Sequence, residues 1–221
     1  MKFTLTYDGK LPASANSSKG EDVWRIRREM HPQLEVLCSV NPVLRDAIAN
    51  TVVPESGPFG MLDAHHSQPT PPRDKRIISA GPKGPRRDLY ARIIKGGKNF
   101  LPIVRESMAL TCTLDILFLR QEEPGRLIMQ GGDIDGRIKT RFDALTMPQF
   151  DDGVARYGDA GTLPDPLYCL MENDTLVTGC NIETGRLLTK PDGHAAEAHL
   201  VINVDVRVVR AKPYNMSFLG D

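Results

Sequence analysis

The chain has 221 residues, 40% of them hydrophobic, with 28 Lys/Arg balanced by 28 Asp/Glu. This length and apolar share suit a buried core and exclude a disordered tail. A net charge of zero excludes a uniformly basic nucleic-acid coat but leaves room for a local patch.

The opening MKFTLTYDGK carries no apolar signal region. No stretch approaches the ~20 apolar residues of a membrane span. A cytoplasmic chain with no membrane partner is expected. The cysteines stand at 38, 112, 169 and 180, without a CxxC pair or zinc-site spacing. Free thiols in a reducing compartment are expected, with Cys112 as a small core residue.

Residues 2–7 alternate and read as a first strand, followed by the loop GKLPASANSSKG. Glu21 to Leu37 has helical spacing through Val23, Ile26 and Met30, and Pro32 is expected to kink or divide that helix. Asn41-Pro42 reads as an N-cap followed by proline at the first helical position of a short helix. Residues 54–72 hold five prolines and two glycines and read as a loop, with His65 and His66 as loop histidines.

Residues 73–98 change character. Nine Lys/Arg meet only Asp74 and Asp88, a local net of +7 that leaves −7 on the remainder. Arg73, Lys75, Arg76, Lys83, Arg86, Arg87, Lys95 and Lys98 are candidates for tracking a phosphate backbone. A solvated loop is the alternative. Ile77-Ile78 and Ile93-Ile94 suggest short strand pieces, with Gly96-Gly97 as a turn.

Residues 107–119 form a clear strand pattern, with Met108, Leu110, Cys112, Leu114, Ile116 and Phe118 on one face. A helix is expected over 135–146, with Ile138, Phe142 and Leu145 on one side. Residues 147–166 read as a second loop-rich insertion, with Asp151, Asp152, Asp159 and Asp165 solvated. Leu176 to Leu188 reads as strand, with a Thr184-Gly185 turn near its end. His199 to Val209 is another strand, with Leu200, Ile202, Val204, Val206 and Val208 on one face. The sum is an α/β chain of the α+β type, a mixed or antiparallel sheet packed on a few helices. It reads as a single domain over 1–221, with insertions near 54–98 and 147–166.

The segment GGDIDGRIKTRFDAL, Gly131 to Leu145, carries the chemistry. In extended chain, Asp133 and Asp135 face the same side and offer hard oxygens to a cation. Asp135 stands at a helix N-cap position, and Lys139 follows one turn later. Such a lysine could hold a scissile phosphate. The bland alternative is that Asp135 only caps and Lys139 only pairs with it or with Asp143. Asp174, at the start of an apolar strand run, is the choice for a third acid, with Glu172 second.

These residues resemble the D-x-D-N-x-x-K…DAL segment of RusA-type Holliday-junction resolvases, small and mostly phage-derived endodeoxyribonucleases. The opening strand and loop with Pro12, Ser14 and Asn16 are similar to the family's start. The strand with Leu114, Ile116 and Phe118 stands before the motif. Asn173-Asp174 followed by Thr-Leu-Val resembles the family's D-D-x-x-V element. The resemblance implies a RusA-like fold and metal-binding carboxylates at Asp133, Asp135 and Asp174. It further implies an essential Lys139, Mg²⁺ (or Mn²⁺) as cofactor, a homodimer, and branched DNA as substrate in recombination or repair. A two-fold dimer suits a four-way junction, whose symmetric cuts need two equal sites. The chain departs from the family at Gly136, in place of Asn, and at Asn173, in place of the first Asp. Two other readings therefore stay open: a catalytically impaired DNA-binding homologue, and a non-enzymatic interaction protein.

Overall fold

The two longest alternating segments lie side by side at the centre of the fold. A computed structural model describes residues 1–10, 19–50, 52–54, 77–81, 84–121, 142–157, 163–188 and 197–220. In chain order its elements are β1 (Lys2–Lys10), α1 (Lys19–Val40), α2 (Pro42–Asn50), β2 (Val52–Pro54), β3 (Ile77–Gly81), β4 (Gly84–Asp88), β5 (Ile93–Lys95), β6 (Lys98–Val104), β7 (Leu110–Arg120), α3 (Asp151–Tyr157), β8 (Leu167–Met171), β9 (Val177–Arg186) and β10 (Glu197–Val208). Residues 142–145 are also helical, and the rest of the helix expected over 135–146 up to residue 141 lies outside the described residues.

A four-stranded sheet has the order β1-β10-β7-β9. The β1–β10 and β10–β7 pairs are antiparallel, and β7–β9 is parallel. A second mixed sheet, β5-β6-β8, joins an antiparallel hairpin to a parallel pair, and β2-β4-β3 form a small antiparallel sheet. The fold is thus mixed α+β. No helix among the described residues is long and apolar enough to cross a membrane.

Alternation decides which sheet face is buried. Leu5 and Tyr7 of β1, Leu110 to Phe118 at every second position of β7, and Leu200 to Val206 likewise on β10 all enter one core. Helix α1 covers that face with Val23, Ile26, Met30, Leu34 and Cys38, and α2 adds Leu44 and Ala47. A second cluster gathers Trp24, Ile93, Phe100, Met147, Val154, Leu167 and Cys169. All four cysteines are free thiols.

Several details differ from the sequence reading. Pro32 lies inside one continuous 22-residue α1 and does not divide it. The strand expected from residue 107 begins at Leu110, because Ala109 takes a left-handed φ of 51° in the turn before it. Thr184-Gly185 is not a turn. Gly185 pairs with Leu119 inside the ladder, where a Cβ would stand 2.7 Å from Leu119 Cδ2. The 147–166 insertion contains α3, and Asp151 is not merely solvated, since its Oδ1 accepts the Gly96 N–H at 3.1 Å. Gly96 and Gly97 do form the expected turn, with φ of 52° and 73°.

Candidate active site

Asp174 opens a short 3-10 turn, Asp174–Leu176, between β8 and β9. The turn is set by Asn173, whose side-chain oxygen accepts the Thr175 N–H at 2.7 Å and also the Thr175 hydroxyl. Buried Leu176 anchors the far side. Asp174 itself is exposed, and its carboxylate has no hydrogen bond or ion pair among the described residues. An exposed, uncommitted carboxylate on a fixed turn has the donor chemistry of a hard-cation ligand. Glu172 is differently placed, with Oε2 accepting the Glu106 N–H at 3.2 Å.

Asp133, Asp135, Gly136 and Lys139 lie outside the described residues, as do His65, His66 and Asp159. Among the described residues no three His, Cys, Asp or Glu side chains come together as a metal site. What is described is the end of the motif. Residues 142–145 are helical, and Thr146 pairs in a parallel bridge with Met171. The Met147 N–H donates to Met171 O at 2.9 Å. The chain leaving the motif therefore joins β8 three residues before Asp174.

One buried cation secures this joint. Arg27 of α1, 4% exposed, donates through Nε and Nη2 to Thr146 O at 3.2 and 2.8 Å, and through Nη2 to Asp143 O at 2.6 Å. Its guanidinium lies over the Trp24 ring, 4.6 Å from the centroid. Burial pulls its pKa below the usual value, opposed by Cys169 and Asp143. Burial pushes the Cys169 thiol up to about 11, so it is neutral at pH 7. Sequence reading missed Arg27. The available signal was its place four residues after Val23, on the apolar stripe of α1, where a cation needs buried acceptors.

The basic candidates are divided. Arg73, Lys75, Arg76 and Lys83 lie outside the described residues. Arg86 and Arg87 are on β4, opposite Pro54 and Val53. Lys98 begins β6 and is half-buried. Lys95 departs from expectation: it is 8% exposed, and its ammonium donates to Gln149 O at 2.9 Å. It ties β5 to the segment before α3, so it is not a surface phosphate contact.

Part of the outer face of the four-stranded sheet is polar. Thr4, Asn203, Asp115 and Asn181 stand in one cross-strand row, with bonds from the Thr4 hydroxyl to Asn203 Oδ1 at 2.8 Å and from Asn181 Nδ2 to Asp115 Oδ1 at 3.0 Å. Nearby Cys180 has its pKa raised by burial and by Asp115, which disfavours thiolate chemistry there. The row depends on strand register, which brings together residues from four separate strands.

Compared with known proteins, the chain matches no family model, no curated protein and no solved structure.

Proposed function

We propose that this chain is a Mg²⁺-dependent endodeoxyribonuclease of the RusA type that cuts Holliday junctions or related branched DNA as a homodimer. The observation that carries the reading is Asp174. The acid singled out from its sequence context stands on a turn fixed by its own neighbours, exposed and uncommitted among the described residues. The joint between the motif's end and β8 supports it, since it ties the motif segment to the strand that leads to Asp174.

In this reading Asp133, Asp135 and Asp174 hold the cation through carboxylate oxygens, and Lys139 holds the scissile phosphate. Bound Mg²⁺ supplies water activation and leaving-group stabilisation for in-line attack. Arg73, Lys75, Arg76, Lys83, Arg86, Arg87 and Lys98 supply salt-sensitive, sequence-independent affinity.

Asn173 bears on the competing reading of a binding protein without catalysis. Its oxygen is used for capping, and an Asp oxygen at that position would cap equally well. The departure from the family pattern therefore falls on a capping group. The test is cleavage of a synthetic four-way junction in Mg²⁺ by the full chain, with Asp133→Asn beside it. Cutting that is lost in Asp133→Asn supports the assignment. Undiminished cutting by that variant, or junction binding without cutting in Mg²⁺ or Mn²⁺, rejects it.

A further inference from the structure

The four-stranded sheet ends differently on its two sides. At the β1 edge, Gln33 Oε1 accepts the Thr6 N–H at 2.9 Å and Gln33 Nε2 donates to Thr6 O at 2.7 Å. β9 forms the opposite edge. One side of β9 pairs with β7, and among the described residues nothing pairs with the other. A strand edge turns alternate N–H and C=O groups outward, and another extended backbone is what answers them in register. The strand has no Pro or Lys to discourage such pairing. Leu188, two residues past its end, is 88% exposed.

The sequence of this edge says which backbone fits. Gly179 to Gly185 reads GCNIETG. Laid antiparallel on a second copy about Ile182, Gly179 meets Gly185, Cys180 meets Thr184 and Asn181 meets Glu183, each pair on both sides of the two-fold axis. No like charges face each other. Asn181 gives one amide N–H to Asp115 Oδ1 at 3.0 Å, which leaves the other for Glu183 of the second copy. The Glu183 carboxylate has no hydrogen bond or ion pair among the described residues. Ile182 is half-buried and packed against the main core, so meeting its own copy continues that apolar layer across the axis.

From this self-complementary edge we infer that two copies of the chain pair through β9, antiparallel about Ile182. Both sheets then join in the order β1-β10-β7-β9-β9-β7-β10-β1, an isologous contact that closes on itself. The inference deepens the nuclease reading by giving its homodimer an interface. It rests on that reading for the expectation of two copies, and on the sheet edge for their contact.

The test is sedimentation equilibrium of the full chain, with circular dichroism to establish that each variant is folded. Positions 181, 183 and 184 are exposed, so substitutions there leave the core intact. Asn181→Lys faces Glu183 of the second copy and should dimerise at least as tightly as wild type. Adding Glu183→Lys sets lysine against lysine twice and should weaken the dimer roughly tenfold or more relative to Asn181→Lys. Residues opposite each other in an antiparallel pair lie within disulfide reach. Oxidised Thr184→Cys should therefore run as a covalent dimer on a non-reducing gel, and adding Cys180→Ser should abolish that band. A dimer that ignores the paired lysines, or that Thr184→Cys does not cross-link, overturns the β9 interface and leaves the homodimer standing. A monomeric wild type overturns both, and junction cutting is then judged by its own assay.

Discussion

The side-chain oxygen of Asn173 accepts the Thr175 N–H at 2.7 Å, and this bond shapes the turn that presents Asp174. Replacing Asn173 by Ala removes the cap and is expected to cost about 1 kcal/mol. Asn173→Asp keeps an acceptor in place, so stability should stay within about 0.5 kcal/mol of wild type. Urea denaturation of the two variants checks both values. Equal losses in both would show that the cap is not what holds the turn.

Gln33 on α1 pairs with the outer edge of β1 as another strand would. The Thr6 N–H donates to Gln33 Oε1 at 2.9 Å, and Gln33 Nε2 donates to Thr6 O at 2.7 Å. An uncovered edge strand invites pairing with other chains. Gln33→Ala should lower stability by about 1 kcal/mol, the net scale of a hydrogen bond or two. It should also raise the aggregation rate seen by light scattering. No change in either would show that the contact does not guard the edge.

His31 makes stability depend on pH. Its Nδ1 accepts the Tyr168 N–H at 3.0 Å, tying α1 to β8, so that nitrogen must be unprotonated. Burial lowers its pKa below the ordinary value of 6.5, with Glu35 opposing. The unfolded chain therefore takes up the proton first. The His31 contribution is complete above pH about 6.5 and is lost as pH falls through the depressed folded value. His31→Gln should flatten the pH dependence of unfolding on the acid side of that point. An unchanged slope would place the effect elsewhere.

Lys95 should behave as a packing residue. Lys95→Met removes its bond to Gln149 O. The expected cost is about 0.5–1.5 kcal/mol, the net scale of one hydrogen bond, because Gln149 is exposed and its carbonyl can turn to water. DNA affinity and its dependence on salt should not change in this variant. A shallower salt slope would return Lys95 to the DNA-contacting set.

Features whose cause lies nearby in sequence were legible. Asn41 caps α2 as read, its Oδ1 accepting the Leu44 N–H at 3.0 Å, because donor and acceptor are three residues apart. The alternation of Leu200, Ile202 and Val204 identified the buried face of β10 for the same reason. Pro32 does not divide α1 because a local rule met a larger tertiary term. An interior proline costs roughly 3 kcal/mol. Burying Met30, Leu34 and Cys38 on the same stripe contributes about 1.5–3 kcal/mol for each of the larger side chains, which outweighs it. Gly185 was misread because its neighbour, Leu119, is on another strand. In the candidate site, the place of Asp174 just before β9 was legible from the apolar run that follows it. Arg27 was not, because its acceptors lie 116 and 119 residues away.

The most direct measurement is the rate at which the full chain cuts a synthetic four-way DNA junction in Mg²⁺, set against Asp174→Asn. The account predicts paired, symmetric cuts by the wild type. It predicts a loss on the order of 100-fold or more in the variant, the scale of removing one group that stabilises the transition state. Junction binding should persist in that variant. Equal cutting rates for the two proteins would contradict the account.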